Sequence, residues 1–210
     1  LWVHFMETHR PYGVNEEAIS QKLDQKAFFR PKKLTEPEKD EILDKYRDAI
    51  HRTKDNVEYL LENIDSDPIV VFTSDHGEGF GENGFYFHQG HKRSVADFQT
   101  KVPVIFDGID IKGPMSLLDI PPTLVESVGV DAPSSWHETN LLNSQSEYAI
   151  TIAPWHNKAT IAWQDFENKI IARDANVSFE NSTTNDRVER ADVDDTLEKQ
   201  LQDLGYIDAG

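Results

Sequence analysis

A short apolar run that ends in charged residues places the strongest constraint on how this chain folds. Residues 69–72 read Ile-Val-Val-Phe, and Asp75, His76 and Gly77 follow after two more residues. Such a run is typical of a strand buried on both faces of a parallel sheet. In open α/β sheets ligands bind beyond the carboxyl ends of the strands, which is where Asp75 and His76 would lie. A carboxylate beside an imidazole suits a divalent cation, so we predict that these two residues bind a metal ion.

A long amphipathic helix is predicted immediately before this strand. Apolar residues recur at three- and four-residue spacing over residues 42–64. Thr35 and Glu38 have the spacing of a capping box, with a proline in the first turn, and they mark where the helix begins. Another helix is predicted over residues 120–128, with Asp119 as its N-cap and a glycine directly after it. The chain is thus expected to alternate helices with strands.

The order of the predicted elements indicates a parallel sheet. Residues 1–5, Leu-Trp-Val-His-Phe, are predicted to form a strand ahead of the long helix. Strand, helix and strand in succession form a right-handed crossover, which joins parallel strands. This connection would place His9, just past the first strand, at the same sheet edge as Asp75 and His76. We therefore predict an α/β fold whose mostly parallel sheet is flanked by helices, with a further strand over residues 102–106.

The composition changes near residue 144, and we predict a domain boundary there. Residues 1–143 would form the α/β domain, and residues 144–210 a small domain with an antiparallel sheet and a final helix. Three short apolar segments are the predicted strands of this second domain: residues 148–152, 159–163 and 169–172. The polar residues 176–195 are predicted to be loop, and the leucine spacing after Thr196 predicts the closing helix.

The charge and composition of the chain exclude some classes of partner and site. The formal net charge is −17 at pH 7, so binding to nucleic acid or to an anionic membrane surface is not expected. The sequence has no cysteine, which rules out a thiolate metal site and a cysteine nucleophile in these residues. No apolar run approaches the length of a membrane span. The first residue is leucine rather than methionine and no signal peptide follows, so we expect the chain to begin partway through a longer protein.

Four histidines lie in loops that are predicted to meet at this sheet edge: His9, His76, His88 and His91. Any one of them alone is as consistent with a surface histidine as with a functional one. An acidic protein that holds an anionic ester beside a metal needs cations that converge on the same oxygen atoms. Lys92, Arg93 and His9 can supply those cations. The group therefore predicts a site for an anionic ester next to a divalent metal.

Five short segments of the chain carry a family resemblance. They are His-Arg-Pro-Tyr at residues 9–12, Ser-Asp-His-Gly-Glu at 74–78, Gly-Glu-Asn-Gly at 81–84, Gly-His-Lys at 90–92 and Val-Pro-Val-Ile at 102–105. Together these segments resemble the sulfatases of the alkaline phosphatase superfamily, over residues 1 to about 142 and again at the end of the chain. The resemblance implies an alkaline phosphatase-like fold and the hydrolysis of sulfate esters.

The resemblance also implies roles for the candidate residues. By similarity, Asp75 and His76 bind the divalent cation, and Lys92 and His9 contact the sulfate group. Either His9 or His91 is the general acid that protonates the leaving alkoxide. Calcium is the metal that fits sulfatases, whereas an imidazole ligand also suits manganese or zinc. The formylglycine nucleophile of the family is expected upstream of residue 1, because no segment of the chain matches the one that carries it.

Sulfate esters of carbohydrates are the expected substrates, and two other functions stay open. Residues 82–88, Glu-Asn-Gly-Phe-Tyr-Phe-His, also resemble phosphoethanolamine transferases, in which the histidine lies at a zinc site. His88 is therefore a candidate for substrate binding, for a second metal or for the acid role. This similarity makes a phosphate or phosphonate ester hydrolase, or a phosphoethanolamine transferase, the nearest alternative. A noncatalytic binding module is the third function, although Asp75, His76 and Lys92 argue against it.

Overall fold

Two compact units make up the chain in the computed structural model. The first unit contains residues 1–92 and 96–110, and the second contains residues 93–95 and 111–210. The structure describes the following residues: 1–88, 94–111, 115–136, 139–144, 146–155, 158–165, 167–173 and 176–181. We predict a boundary between two domains at residues 143 and 144. Compact units are not the same as independently folding domains, so this boundary stays a prediction.

The long helix of the first unit begins where its capping signals place it. This helix, α2, spans Glu36–Glu62 and is about 40 Å long at 1.5 Å per residue. The predicted capping box is confirmed, since the Thr35 side chain and the Glu38 side chain each accept a hydrogen bond from the other residue's backbone N–H. Not all of the apolar residues that predicted this helix are buried. Ile50 and Leu61 belong to its apolar stripe, yet they are 44% and 41% exposed. No helix in the described part of the chain is both long and apolar enough to cross a membrane.

One core in the first unit joins α2 to a shorter helix and to two loops. The shorter helix, α1, spans Gln21–Phe29. The buried core residues are Tyr12, Ile19, Leu23, Ala27, Leu34, Ile42, Ala49, Tyr86 and Phe87. Tyr12 and Phe87 are fully buried and belong to the loops that carry His9 and His88. Close packing of the core therefore fixes the backbone next to two candidate site residues.

The predicted parallel sheet does not occur among the described residues. β1 spans Val70–Thr73 and β2 spans Val104–Asp107, and the two strands pair antiparallel. A single helical turn, α3, lies between them at Asp97–Thr100. Residues 1–5 form no strand, and the side chain of Trp2 is 87% exposed, so the predicted crossover to β1 is not formed in this part of the chain. An apolar run has the same pattern beside a parallel or an antiparallel neighbour, and the partner decides the direction.

In the second unit a helix follows Asp119. This helix, α4, spans Ile120–Ser127, and Asp119 occupies its N-cap position as predicted. The Asp119 carboxylate does not cap α4, however, but is buried and accepts hydrogen bonds from the backbone N–H groups of Ser116 and Thr139 and from the Ser146 hydroxyl. Asp119 thus ties three segments of the second unit together.

Four strands in sequence order form an antiparallel meander: β3 Ala149–Trp155, β4 Lys158–Gln164, β5 Asn168–Arg173 and β6 Asn176–Asn181. The first three confirm the predicted small sheet. The fourth corrects the prediction of loop over residues 176–195, because residues 176–181 pair with β5 along their length. A neighbouring strand that offers hydrogen bonds outweighs the low strand propensity of asparagine. The predicted helix after Thr196 lies outside the described residues.

Candidate functional site

Asp75 and His76 lie directly after β1, the position that the sequence predicts. The Asp75 side chain is 73% exposed, and its Oδ1 accepts a hydrogen bond from the His76 N–H at 3.0 Å. The Nδ1 atom of His76 lies 2.8 Å from the carbonyl oxygen of Gly77. Because a carbonyl oxygen can only accept, Nδ1 is the donor and carries the hydrogen. The Nε2 lone pair of a neutral His76 is then free to bind a metal ion.

Three of the four candidate histidines lie next to one another. The ring centroid of His88 is 4.0 Å from that of His76 and 5.7 Å from that of His9. The structure thus brings together the imidazole of the His9 loop and two imidazoles from the connection between β1 and α3. His91 and Lys92, together with the neighbouring Arg93, lie outside the described residues, and their predicted roles stay predictions.

In the loop that carries His9, the Nε2 atom of His9 is available to a ligand, whereas Arg10 packs against α1. Nδ1 of His9 is 2.6 Å from the carbonyl oxygen of Arg10, so Nδ1 is the donor and Nε2 is left free. The Arg10 guanidinium lies over the rings of Phe28 and Phe87, 4.6 and 5.1 Å from their centroids. Its Nη1 also donates to Asp24 Oδ1 at 3.4 Å. These contacts hold the positive charge of Arg10 against α1 through cation–π interactions and an ion pair.

Glu78 is a buried carboxylate next to His88. Its side chain is 8% exposed, and its Oε2 accepts a hydrogen bond from the Tyr12 hydroxyl at 3.1 Å. Its Oε1 lies 3.8 Å from Nδ1 of His88. Burial, and then the charge of Glu78, raise the pKa of the Tyr12 phenol far above its usual range, so this hydroxyl stays a donor. Neither Tyr12 nor Glu78 is among the site residues predicted from the sequence.

Gln99 joins the two sides of the site, and the sequence does not predict it either. It lies in the single turn of α3 and is 8% exposed. Its backbone carbonyl accepts from the Gly77 N–H at 2.8 Å, and its side-chain Nε2 donates to the His88 carbonyl oxygen at 2.7 Å. One buried residue therefore holds both the segment that follows His76 and the backbone of His88.

The donors at Asp75 and His76 fit part of a divalent metal site. An exposed carboxylate and a free imidazole nitrogen on adjacent residues are both ligands for such ions. Within the described residues no group of three or more His, Asp or Glu side chains is arranged to hold a metal. Asp75 and His76 would therefore be two ligands of a shell that other groups complete.

The part of the chain that contains these residues matches a known protein family. The family model described as Sulfatase matches residues 1–130. The chain belongs to the sulfatase family. The matched part of the chain includes β1, Glu78 and the three neighbouring histidines. Its membership of the alkaline phosphatase superfamily agrees with the segments that carried the resemblance.

Two curated relatives resemble this chain over part of their length. The low-salt glycan biosynthesis sulfotransferase of Haloferax volcanii is 30% identical over 154 aligned positions, and the match covers 65% of this chain and 36% of that protein. Phosphoethanolamine transferase EptA of Helicobacter pylori is 26% identical over 108 residues, which make up 50% of this chain and 20% of that protein. The chain therefore spans about a third or less of the length of these relatives.

A solved structure shares the fold of this chain. A protein from Bacteroides thetaiotaomicron, assigned to the sulfatases, superposes with a TM-score of 0.61 at 18% sequence identity. The superposition covers 88% of this chain and 44% of that one. At this identity the likeness concerns the fold alone, which is alkaline phosphatase-like.

Proposed function

We propose that the protein containing these 210 residues is a metal-dependent hydrolase of sulfate esters. The observation that carries the proposal is the group of His9, His88 and His76 beside Asp75, in a chain of the sulfatase family. Asp75 and His76 bind the divalent cation. Calcium is the first choice, and manganese or zinc also suits the imidazole ligand. When bound, the metal ion polarises the sulfate oxygens and stabilises negative charge on them.

Side chains of this sulfatase then act on the sulfate group. Lys92 contacts the nonbridging oxygens as a fixed positive charge, and His9 and His88 bind the same anion. Either His9 or His91 protonates the leaving alkoxide as general acid. For His9 the proton donor is Nε2, because its Nδ1 faces the Arg10 carbonyl. The nucleophile, a formylglycine in the family, is supplied by a segment outside these residues.

A sulfated carbohydrate is the proposed substrate class. The net charge of −17 repels an anionic ester, so the site must supply positive charge and hydrogen-bond donors at close range. Lys92 supplies such a charge, and His9 and His88 donate to the ester when Nε2 carries a hydrogen. Further support comes from the Haloferax volcanii relative, whose name places it in glycan biosynthesis.

Phosphoryl transfer is the second candidate function. It is supported by the similarity to phosphoethanolamine transferase EptA and by the 4.0 Å separation of the His88 and His76 rings. An imidazole so close to the proposed metal ligand is available for a second cation, which phosphoryl-transfer enzymes often use. Matched assays with 4-nitrophenyl sulfate and 4-nitrophenyl phosphate distinguish the two functions.

The test uses the longest natural form of the protein that contains these residues, loaded with metal. We expect faster turnover of the sulfate than of the phosphate, and loss of turnover when a chelator removes the metal. Lys92→Ala should lower kcat/KM about a hundredfold, because a charge-assisted contact to the transition state is lost. Lys32→Ala removes an exposed lysine and serves as the matched control. Turnover by Lys92→Ala within about threefold of wild type would contradict the proposed role of Lys92.

A further inference from the structure

Glu78 has two hydrogen-bond donors in place and a third polar group facing it. The Tyr12 hydroxyl donates to Oε2 at 3.1 Å, and the Gly79 N–H donates to Oε1 at 3.3 Å. Nδ1 of His88 lies 3.8 Å from Oε1. A carboxylate that is 8% exposed needs several donors to offset its loss of water. The arrangement therefore holds Glu78 with one oxygen directed at His88.

Nδ1 of His88 is the group that lacks a partner. This atom is buried and makes no hydrogen bond in the part of the chain that the structure describes. Buried polar atoms without a partner are rare, because they lose water and gain nothing in return. The 3.8 Å distance from Nδ1 to Glu78 Oε1 exceeds the usual length of a hydrogen bond by less than about 1 Å. A hydrogen bond between these two atoms would give Nδ1 the partner that it lacks.

In the other two histidines, unlike His88, Nδ1 has a backbone partner. Nδ1 of His9 faces the Arg10 carbonyl at 2.6 Å, and Nδ1 of His76 faces the Gly77 carbonyl at 2.8 Å. In both rings Nδ1 donates to a backbone carbonyl oxygen, and Nε2 is the nitrogen available to a ligand. His88 differs in that a side-chain carboxylate, rather than a backbone carbonyl, stands opposite Nδ1.

We propose that Glu78, held by Tyr12, positions His88 for the reaction. Glu78 accepts the hydrogen bond from Nδ1–H, which fixes the tautomer of the neutral ring and its rotation and leaves Nε2 on the substrate side. A lone pair on Nε2 cannot donate to a sulfate oxygen, so the ring binds the anion as an imidazolium, in which both nitrogens are donors. Glu78 is thus a positioning residue that acts through His88. The inference rests on the proposed function in that His88 is taken to bind the sulfate ester.

Tyr12 is suited to hold Glu78 because its own ring cannot move. It is fully buried, has a backbone φ of 65°, and packs edge-on against Tyr46 with ring centroids 5.2 Å apart. Tyr12→Phe keeps this packing and removes the hydroxyl alone. Tyr59→Phe, on the exposed face of α2, is the matched control because Tyr59 is 70% exposed.

The direct test is nitrogen-15 NMR of the complete protein labelled at histidine, recorded at about pH 8, which distinguishes the two tautomers of a neutral ring. The His88 signals are assigned from their absence in His88→Gln. We expect the hydrogen on Nδ1 in wild type and a mixture of both tautomers in Glu78→Ala. Glu78→Gln should keep the Nδ1–H form, since an amide oxygen also accepts. Tyr12→Phe should give a partial mixture, and Glu62→Gln, at an exposed position of α2, should change nothing.

The same variants are then assayed with 4-nitrophenyl sulfate. Glu78→Ala should lower kcat about 10- to 100-fold with KM within about threefold, which is the pattern of a lost positioning contact. Glu78→Gln should recover most of that loss. Failure of wild type to hydrolyse either model ester would refute the proposed function, while the NMR result would still decide the role of Glu78.

Two results would overturn the inference. One is hydrogen on Nε2 of His88 in wild type, which needs no variant and so holds even if Glu78→Ala does not fold. The other is an unchanged His88 tautomer in a folded Glu78→Ala. An unchanged tautomer in Tyr12→Phe would remove Tyr12 from the proposal.

Discussion

A Cβ atom placed on Gly77 would lie 2.1 Å from the carbonyl oxygen of Phe98. No side chain fits into that space, because the neighbour is backbone and cannot rotate away. The close approach also allows the Gly77 N–H to donate to the Gln99 carbonyl at 2.8 Å. Glycine at this position therefore sets the distance between the segment after His76 and α3.

Gly77→Ala should be strongly destabilising. Overpacking against a rigid backbone costs about 3 kcal/mol or more, and urea unfolding measures the change. Gly84→Ala is the matched control, since Gly84 has φ 78° but a Cβ atom added to it would have nothing within 4 Å. It should lose only the roughly 1–2 kcal/mol of a left-handed alanine. Equal losses for both variants would show that the contact with Phe98 is not the cause.

Asp75→Ala should abolish stoichiometric metal binding. The reason is that Asp75 would supply the carboxylate ligand next to the free Nε2 of His76. Elemental analysis of the complete, metal-loaded protein gives the occupancy. Asp67→Ala, which removes another exposed aspartate just before β1, should retain the metal. Full occupancy in Asp75→Ala would exclude Asp75 as a ligand.

Glu38 should make the stability of the first unit depend on pH in the acid range. The hydrogen bond from Lys26, and then the one from the Thr35 backbone, lower the pKa of Glu38 from 4.5 to about 2. Because the folded state binds this proton less readily, the contribution of Glu38 is fully present above pH 4.5 and is lost as the pH falls towards 2. Thermal unfolding of wild type and Glu38→Gln should therefore differ most near neutral pH and converge below pH 4.5.

The control for this pH effect is Glu62→Gln, an exposed substitution at the other end of α2. It should change the transition much less than Glu38→Gln does at neutral pH. A difference between wild type and Glu38→Gln that stays constant from about pH 6 to about pH 2 would contradict the assigned pKa.

Asp119→Ala should destabilise the second unit. The substitution removes the acceptor of two backbone N–H groups and of the buried Ser146 hydroxyl, at a cost of about 3 kcal/mol or more. Chemical unfolding followed by near-ultraviolet circular dichroism measures the loss. Asp131→Ala changes an exposed aspartate of the same unit and should have little effect. A loss below about 1 kcal/mol in Asp119→Ala would show that other groups can replace the carboxylate.

Features encoded by neighbouring residues could be predicted from the sequence. Thr35 and Glu38 are three residues apart, so their capping box marks the start of α2 without reference to the rest of the chain. Asp75 and His76 could be singled out because they directly follow β1. In each case the signal and the structure that it produces lie within a few residues.

Features that depend on distant contacts could not be predicted. The direction of β1 is set by its pairing with β2, and β6 forms because β5 offers it hydrogen bonds. Glu78 becomes part of the site through Tyr12, which is 66 residues away. Gln99 has no motif around it, and its role appears only when its contacts with Gly77 and His88 are seen.

The meander of the second unit has a consequence for the order of folding. Each of its strands pairs with the next strand in sequence, so only short loops must close. The Tyr12–Glu78 hydrogen bond instead joins residues 66 apart. Since the entropic cost of closing a loop rises by about 0.6 kcal/mol per doubling of its length, the sheet can form before the site. In pulse-labelled hydrogen exchange, β4 amides should gain protection before the Gly77 amide, so a partly folded chain would have its sheet and still lack its site.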